Sequence, residues 1–252
     1  MESISIRTLK IFSSLYLKKY RQKYQLFAVE GNKIAGEIIA DYPHIIDSII
    51  ISDTNHEEKL YAFSGKIYTA TATEIKQISQ MVTPPGMICI CKMAEYLNLV
   101  KPKKTASGWK LMLDGINDPG NLGTIVRTAD WFGIREVLLI NDCVDPFHPK
   151  FLQASMGSFL RVSCTEISQK DIPSFNLPVY GATMAGVSMY EIKLPHAGIL
   201  LMGSESHGIS PELMNILQDQ VAIPAPPEGK LESLNVSVAT GILLSHFIRP
   251  FA

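Results

Sequence analysis

An α/β protein in two parts is predicted by three features of this chain. The first is residues 109–140, WKLMLDGINDPGNLGTIVRTADWFGIREVLLI. It opens as an apolar strand, Trp109 to Leu113, and breaks at Asn117-Asp118-Pro119-Gly120-Asn121, a dense run of turn residues. A helix follows, with Ile125, Val126, Ala129 and Phe132 at helical spacing, and Gly133 stops it before the strand Glu136–Ile140. The second feature is the alternation of strand-like and helix-like stretches before residue 95, which implies a small α/β layer domain. The third is KPKKTASG (101–108), polar, basic and broken by Pro and Gly, which reads as a linker. The domains expected are 1–96 and 107–252, joined by residues 97–106.

Residues 1–23 read as helical, with Ile6, Leu9, Phe12, Leu15 and Leu17 as the apolar stripe. Strands are expected at Gln25–Val29, Ile45–Ile51, Ile67–Thr69 and Met87–Cys91, and helices at Lys33–Ala40, Glu57–Ala62 and Thr73–Gln80, the last with Thr73 as its cap. After the central unit come a short helix near Phe151–Met156 and strands near Phe159–Cys164, Pro178–Ala182 and Gly198–Met202. Ser210-Pro211 starts a helix expected to reach Gln218, Gln220–Ile223 is the last strand, and Leu234–Phe247 is a closing helix capped by Ser233.

At 252 residues, 46% hydrophobic and 19% charged, the chain has the composition of an ordinary globular protein with length for a real core. No apolar run is long enough to span a membrane, and MESISIRTLK lacks the layout of a signal peptide, so a cytoplasmic location is expected. Cys89, Cys91, Cys143 and Cys164 form no paired framework and are expected to be reduced thiols, with no metal site. Net charge is −1, but residues 1–106 carry 14 Lys/Arg against 10 Asp/Glu and the remainder 9 against 14. The first 33 residues alone hold 7 basic and 2 acidic groups. Lys18, Lys19, Arg21 and Lys23, interleaved with Tyr20 and Tyr24, suit phosphate contact and base stacking, although basic groups at a helix end also complement its dipole.

The usual catalytic sets are missing: there is no G-x-S-x-G, no P-loop, no His pair at metal spacing, and D-P-G-N-L-G stands where a dinucleotide fingerprint would need G-x-G-x-x-G. Three loops instead lie at the carboxyl ends of expected strands: Asn117–Arg127, Gly203–Gly208 and Pro224–Asn235. Each mixes Gly or Pro with a few polar groups, a composition that lets backbone N–H and C=O approach a small planar ligand. Taken singly, Arg127 reads equally as a surface ion pair, Glu205 as a capping or salt-bridge carboxylate, and Ser233 and Asn235 as helix-start hydrogen bonders.

Together these segments resemble, in order and spacing, the three signature motifs of the SpoU (TrmH-like) RNA ribose 2′-O-methyltransferases of the SPOUT superfamily. The residues that carry the resemblance are NDPGNLGTIVRTA (117–129), LMGSESHGIS (201–210), and Ile223-Pro224 with SLNVSVA (233–239). AVEGNKIAGE (28–37) and TPPGMICI (83–90) are similar to runs in that family's amino-terminal RNA-binding domain. The resemblance implies a parallel α/β sheet ending in a deep trefoil knot, a homodimer, S-adenosylmethionine as cofactor and RNA, ribosomal or transfer, as substrate; the extra amino-terminal domain favours ribosomal RNA. It puts Arg127, Asn117, Glu205 and Asn235, with Ser233 beside them, on catalytic positions. It puts Gly203, Ile223, Leu234, Thr183, Met202 and Pro224 at the cofactor. Because a guanidinium is a poor free base, Arg127 is expected to position the 2′-hydroxyl and stabilise its developing charge. The rival readings are a non-catalytic RNA-binding relative, against which the retention of all four catalytic-position residues speaks, and a nucleotide-binding oxidoreductase, which lacks its glycine fingerprint. Two departures from the family pattern are a longer Pro224–Ser233 loop and His207, to which no role is assigned.

Overall fold

The chain divides into two compact units, Met1–Lys101 with Phe147–Leu160, and Pro102–Pro146 with Arg161–Ala252. The computed structural model describes residues 1–52, 60, 63–101, 108–226 and 233–248.

The first unit runs β1 (Glu2–Ser3), α1 (Ile6–Ser14), α2 (Lys18–Tyr24), β2 (Leu26–Glu30), α3 (Asn32–Asp41), β3 (Ile46–Ile51), β4 (Lys66–Thr69), α4 (Ala72–Ile78), β5 (Met87–Lys92) and α5 (Met93–Leu99). Its sheet has the order β1-β4-β3-β5-β2, parallel through β1, β4 and β3 and antiparallel where β5 meets β3 and β2. Strand β5 is buried on both faces, so it reads as a continuous apolar run instead of an alternating one. Its Ile88 and Ile90 join Leu9 and Phe12 of α1 and Ile75 and Ile78 of α4 in one core. Cys89 and Cys91 point to the opposite face and are fully buried, as free thiols. Burial pushes the Cys89 thiol up to about 12 and, with Cys89 and Asp47 beside it, raises Cys91 well above its ordinary value. Residues 147–160 belong with this unit because Phe147 closes an aromatic cluster with Phe27 and Tyr96, at centroid distances of 5.1 and 5.4 Å. The Tyr96 hydroxyl also donates to the Phe159 carbonyl at 3.0 Å.

Four local expectations differ from the structure. The helix expected over residues 1–23 is two helices, because Leu15 turns into the core and Leu17 is extended (φ −94°, ψ 127°). Arg21, expected in the basic surface cluster, is buried: its Nη1 donates at 2.8 Å to the carbonyls of both Leu15 and Tyr16, which the break leaves without helical partners. The cap of α4 is Thr71, in a reciprocal capping box with Glu74, two residues before the expected Thr73. Helix α5 continues to Leu99, into the segment expected as linker; residues 102–107 lie outside the described residues, as does the expected helix at 57–62 apart from Leu60.

The second unit contains β6 (Trp109–Asp114), α6 (Pro119–Trp131), β7 (Glu136–Ile140), β8 (Ser163–Glu166), β9 (Val179–Ser188), β10 (Gly198–Met202), α8 (Pro211–Met214), β11 (Asp219–Ala222) and α9 (Val236–Phe247); α7 (Pro149–Ala154) falls in the first unit. All five pairings of its six strands, in the order β11-β9-β10-β6-β7-β8, are parallel. Met112, Leu138, Ile199 and Leu201 bury one face of the sheet with Ile172 and Leu213. The strand order changes direction between β6 and β10, which is where open parallel sheets leave a crevice at the strands' carboxyl ends. Strand β9 is longer than expected and β11 slips register against it at Gln220/Val221, whereas α8 stops at Met214, one turn long. The segment expected as a strand from Phe159 is a 3-10 turn, Ser158–Leu160, before β8. Among the described residues no helix is long and apolar enough to cross a membrane, and no group of three or more His, Cys, Asp or Glu is placed to hold a metal ion.

Arg21→Met removes the donor shared by two carbonyls while keeping an unbranched side chain. It should lower unfolding stability by about 1–3 kcal/mol, the cost of unpaired buried polar groups, read from urea denaturation of the full chain.

Candidate functional site

The three motif loops meet at the carboxyl edge of β6 and β10. Strand β6 ends in Asp114, a buried carboxylate. Its Oδ1 accepts from Asn141 Nδ2 and its Oδ2 from the Ser210 backbone N–H, both at 2.7 Å, so one side chain ties the ends of three loops. Asn141 reaches it from a left-handed backbone (φ 55°), a conformation asparagine tolerates better than most residues. Helix α6 begins at Asp118, whose carboxylate accepts from the Asn121 N–H at 2.8 Å, with Pro119 in its first turn.

The loop after β10 is folded back on itself. Ser204 and Gly208 exchange backbone hydrogen bonds of 3.1 and 2.9 Å, which places Glu205 at the turn. Gly203 permits this fold: a Cβ there would lie 2.1 Å from the Gly208 carbonyl carbon and 2.3 Å from the Ile209 nitrogen.

Glu205 is where the loops join. Its Oε1 accepts from Asn235 Nδ2 at 2.6 Å, from the Val236 N–H at 3.1 Å and from Asn121 Nδ2 at 3.2 Å. Asn235 closes the triangle by donating to Asn121 Oδ1 at 3.0 Å. The orientation of the Asn235 amide follows from its position, because its Oδ1 caps α9 by accepting from the Ser237 and Val238 N–H groups. Its NH2 must then face the other loops. A carboxylate at the start of a helix is also favoured by the helix dipole. Glu205 Oε2 has no hydrogen-bond partner among the described residues.

Beside this network lies a cavity of about 630 Å³, within the range of small-molecule sites. Its walls bring together eight residues singled out in the sequence: Thr183, Met202, Gly203, Glu205, Ile223, Pro224, Ser233 and Leu234. Val221, Val236 and Leu243 add apolar surface, and Thr183 is held by a 3.0 Å bond to Gln220 Oε1. Asn117 and Arg127 do not line the cavity and are exposed. Arg127 sits six residues beyond Asn121 on α6, with no ion-pair partner among the described residues; helical side chains lean towards the amino-terminal end, which is the end Asn121 occupies. Ser233, expected to cap α9, does not: Asn235 does. Asn121 was not singled out in the sequence, although it stands inside the first motif; a second amide in a turn-rich loop gives no local sign that it will meet Glu205, 84 residues later. Residues 227–232 of the lengthened loop lie outside the described residues.

Residues 108–245 match the SpoU rRNA Methylase family, and residues 7–89 match the MRM3-like substrate binding domain. The 23S rRNA (guanosine(2553)-2′-O)-methyltransferase RlmP of Bacillus subtilis is 28% identical over 255 residues, covering 98% of each chain. A TrmH-family structure from Porphyromonas gingivalis is 38% identical, superposes with a TM-score of 0.82, and covers 97% of this chain and 98% of its own. An AdoMet-bound rRNA methyltransferase from Sinorhizobium meliloti is 27% identical with a TM-score of 0.83, covering 98% and 96%.

Gly203→Ala should separate Ser204–Gly208 from its own return strand. We expect a loss of about 1–3 kcal/mol of stability, of the size overpacking usually costs, and a weaker small-molecule site, both read by thermal shift with and without S-adenosylmethionine.

Proposed function

The chain belongs to the SpoU rRNA methylase family, and from that membership and the cavity we propose that it transfers a methyl group from S-adenosylmethionine to a ribose 2′-hydroxyl of structured RNA, ribosomal RNA being favoured. The observation that carries the reading is the convergence of all three motif loops on Glu205 at the mouth of one cavity.

The cavity's chemistry fits the cofactor. Met202, Val221, Leu234 and Leu243 offer apolar walls for a flat base, and the loops around Gly203 and Ile223 offer backbone donors and acceptors. Glu205 supplies negative charge at the wall, which suits a cationic sulfonium. When bound, S-adenosylmethionine supplies a methyl group activated by that charge. The chain's own work is then to hold the hydroxyl in line, exclude water and manage one proton. Orientation of this kind lowers barriers by up to roughly 7–11 kcal/mol in well-aligned cases. Asn121 and Asn235 hold Glu205 by one oxygen and leave the other available. Arg127 acts as a positioner and stabiliser of the developing oxyanion, with an RNA phosphate as proton acceptor. Asn117 belongs to the same catalytic loop, and Ser233 borders the cofactor.

The same reading includes three further parts. Residues 107–252 are the methyltransferase domain, with the 147–160 segment lent to the first unit, and residues 1–96 are the RNA-binding domain, a role consistent with the substrate-binding match. In this reading the carboxyl-terminal part is a deep trefoil knot, supported by the way the chain after β11, which lies outside β9, returns to line the cavity with the loop after β10. The protein acts as a homodimer in the cytoplasm, and the exposed apolar groups Trp131, Met184, Tyr190 and Val238 of the second unit are surface that a partner copy would cover.

Titration calorimetry should give micromolar binding of S-adenosylmethionine and none of NAD. Failure of folded protein to bind the methyl donor would sink the reading. Arg127→Lys keeps a charge but not the planar fork; it should leave cofactor affinity unchanged and lower kcat about tenfold or more, roughly 1.4 kcal/mol in the transition state. A near-full rate in that variant would remove Arg127 from its role.

A further inference from the structure

We propose that the outer face of α2 is where the first unit takes single-stranded RNA, with Tyr20 as a stacking platform for a base and Lys19 and Lys23 as contacts to the phosphates. The inference rests on the RNA-directed function above and deepens it by naming the surface.

The rings of Tyr20 and Tyr24 stand one helical turn apart, 6.2 Å between centroids and 14° from parallel. Lys19 Nζ lies 4.9 Å from the Tyr20 ring centroid and Lys23 Nζ 5.3 Å from that of Tyr24. The lysines are exposed, while both rings are half-buried and Tyr24 packs against the core below. The result is a ladder of charge and ring.

Helix stability does not explain this arrangement. Cations stabilise the last turn of a helix and oppose the dipole in the first. Lys18 and Lys19 stand in the first turn, which contains no acidic residue. In the last turn, Arg21 is withdrawn to cap the Leu15 and Tyr16 carbonyls, so the dipole accounts for Lys23 alone. What Arg21 does accomplish is to fix α2 against the turn before it, so the ladder is presented in one orientation. An incoming base replaces an ammonium group over a ring, and the freed lysine swings on its flexible stem to the adjacent phosphate. Charge beside a half-buried ring with one face still reachable suits unpaired nucleotides; a membrane surface or an acidic protein would use the charge without the ring.

The test is fluorescence anisotropy of the full-length protein with a labelled oligouridine over a range of salt, with S-adenosylmethionine binding measured on every variant. Lys19→Gln/Lys23→Gln should flatten the slope of log affinity against log salt by about 1.4, two contacts at roughly 0.7 each for a single strand. Tyr20→Leu should weaken binding about 5- to 150-fold without changing the slope, and Tyr20→Phe should restore it. Lys76→Gln/Lys92→Gln, which removes equal charge elsewhere in the unit, should do neither. The proposal is overturned if wild-type protein does not bind the oligomer, or if the α2 variants bind like the control pair. It is also overturned if Tyr20→Leu is silent while the lysine pair weakens anionic vesicles and RNA alike. Loss of cofactor binding by the wild type would defeat the methyltransferase reading instead, and the anisotropy result would stand apart from it.

Discussion

One carboxylate oxygen, Glu205 Oε1, gathers donors from the starts of two helices that the chain places far apart: Asn121 of α6, and Asn235 with Val236 at α9. The two donors at α9 are placed by the helix start itself. Asn235 is committed to capping α9 by its own oxygen, and Val236 N–H is one of the orphan donors of that helix. A charge-assisted acceptor in this position satisfies the helix start, and at the same time orients the side chains that border the cavity. The cavity, its lining loops and the placement of α9 all depend on that junction.

Behind it, Asp114 plays a quieter part. It is buried, has no cationic partner among the described residues and is held by neutral donors, Asn141 and the Ser210 N–H. A buried charge is tolerable only when its lone pairs are filled. The bond to Ser210 sets the far end of the loop that carries Glu205, and Gly203 sets the near end. Rigid strands on either side of the switch between β6 and β10 thus hold a loop that would otherwise be free, and precise placement is what an in-line transfer demands.

The first unit solves a different problem. A short helix cannot hold a fixed orientation by its own hydrogen bonds. Here Arg21 provides the tie, spending its guanidinium on two carbonyls, and α2 is left with exposed lysines beside the half-buried rings of Tyr20 and Tyr24. Lys19 and Lys23 thus stand over the rings of Tyr20 and Tyr24, and it is this pairing of charge with ring on which the proposed RNA surface rests.

Much of this was legible in the chain itself. Glu136–Ile140 and Gly198–Met202 have the observed bounds because apolar runs flanked by turn residues leave little freedom in where a buried strand begins and ends. The three loops were legible because Gly, Pro, Asn and Asp act locally. Their gathering around one cavity was an expectation taken from a family pattern, since nothing in periodicity links residue 121 to 205 or 235. The misplaced caps show the same division: Thr71 and Asn235 each had a neighbouring Thr or Ser of equal capping chemistry, and only the packing of the helix decides which one sits at the turn. Arg21 reads as a surface cation among surface cations, and the break at Leu15–Leu17 is what draws it inward. The sequence by itself determined the turns, the family and the cores of most buried strands, because those depend on local chemistry and pattern; β1, the full reach of β9 and the turn at Ser158–Leu160 were set by packing. The triangle of Asn121, Glu205 and Asn235, the burial of Arg21 and the tie at Asp114 were decided by tertiary structure alone, because each is a contact between segments whose separation along the chain carries no signal.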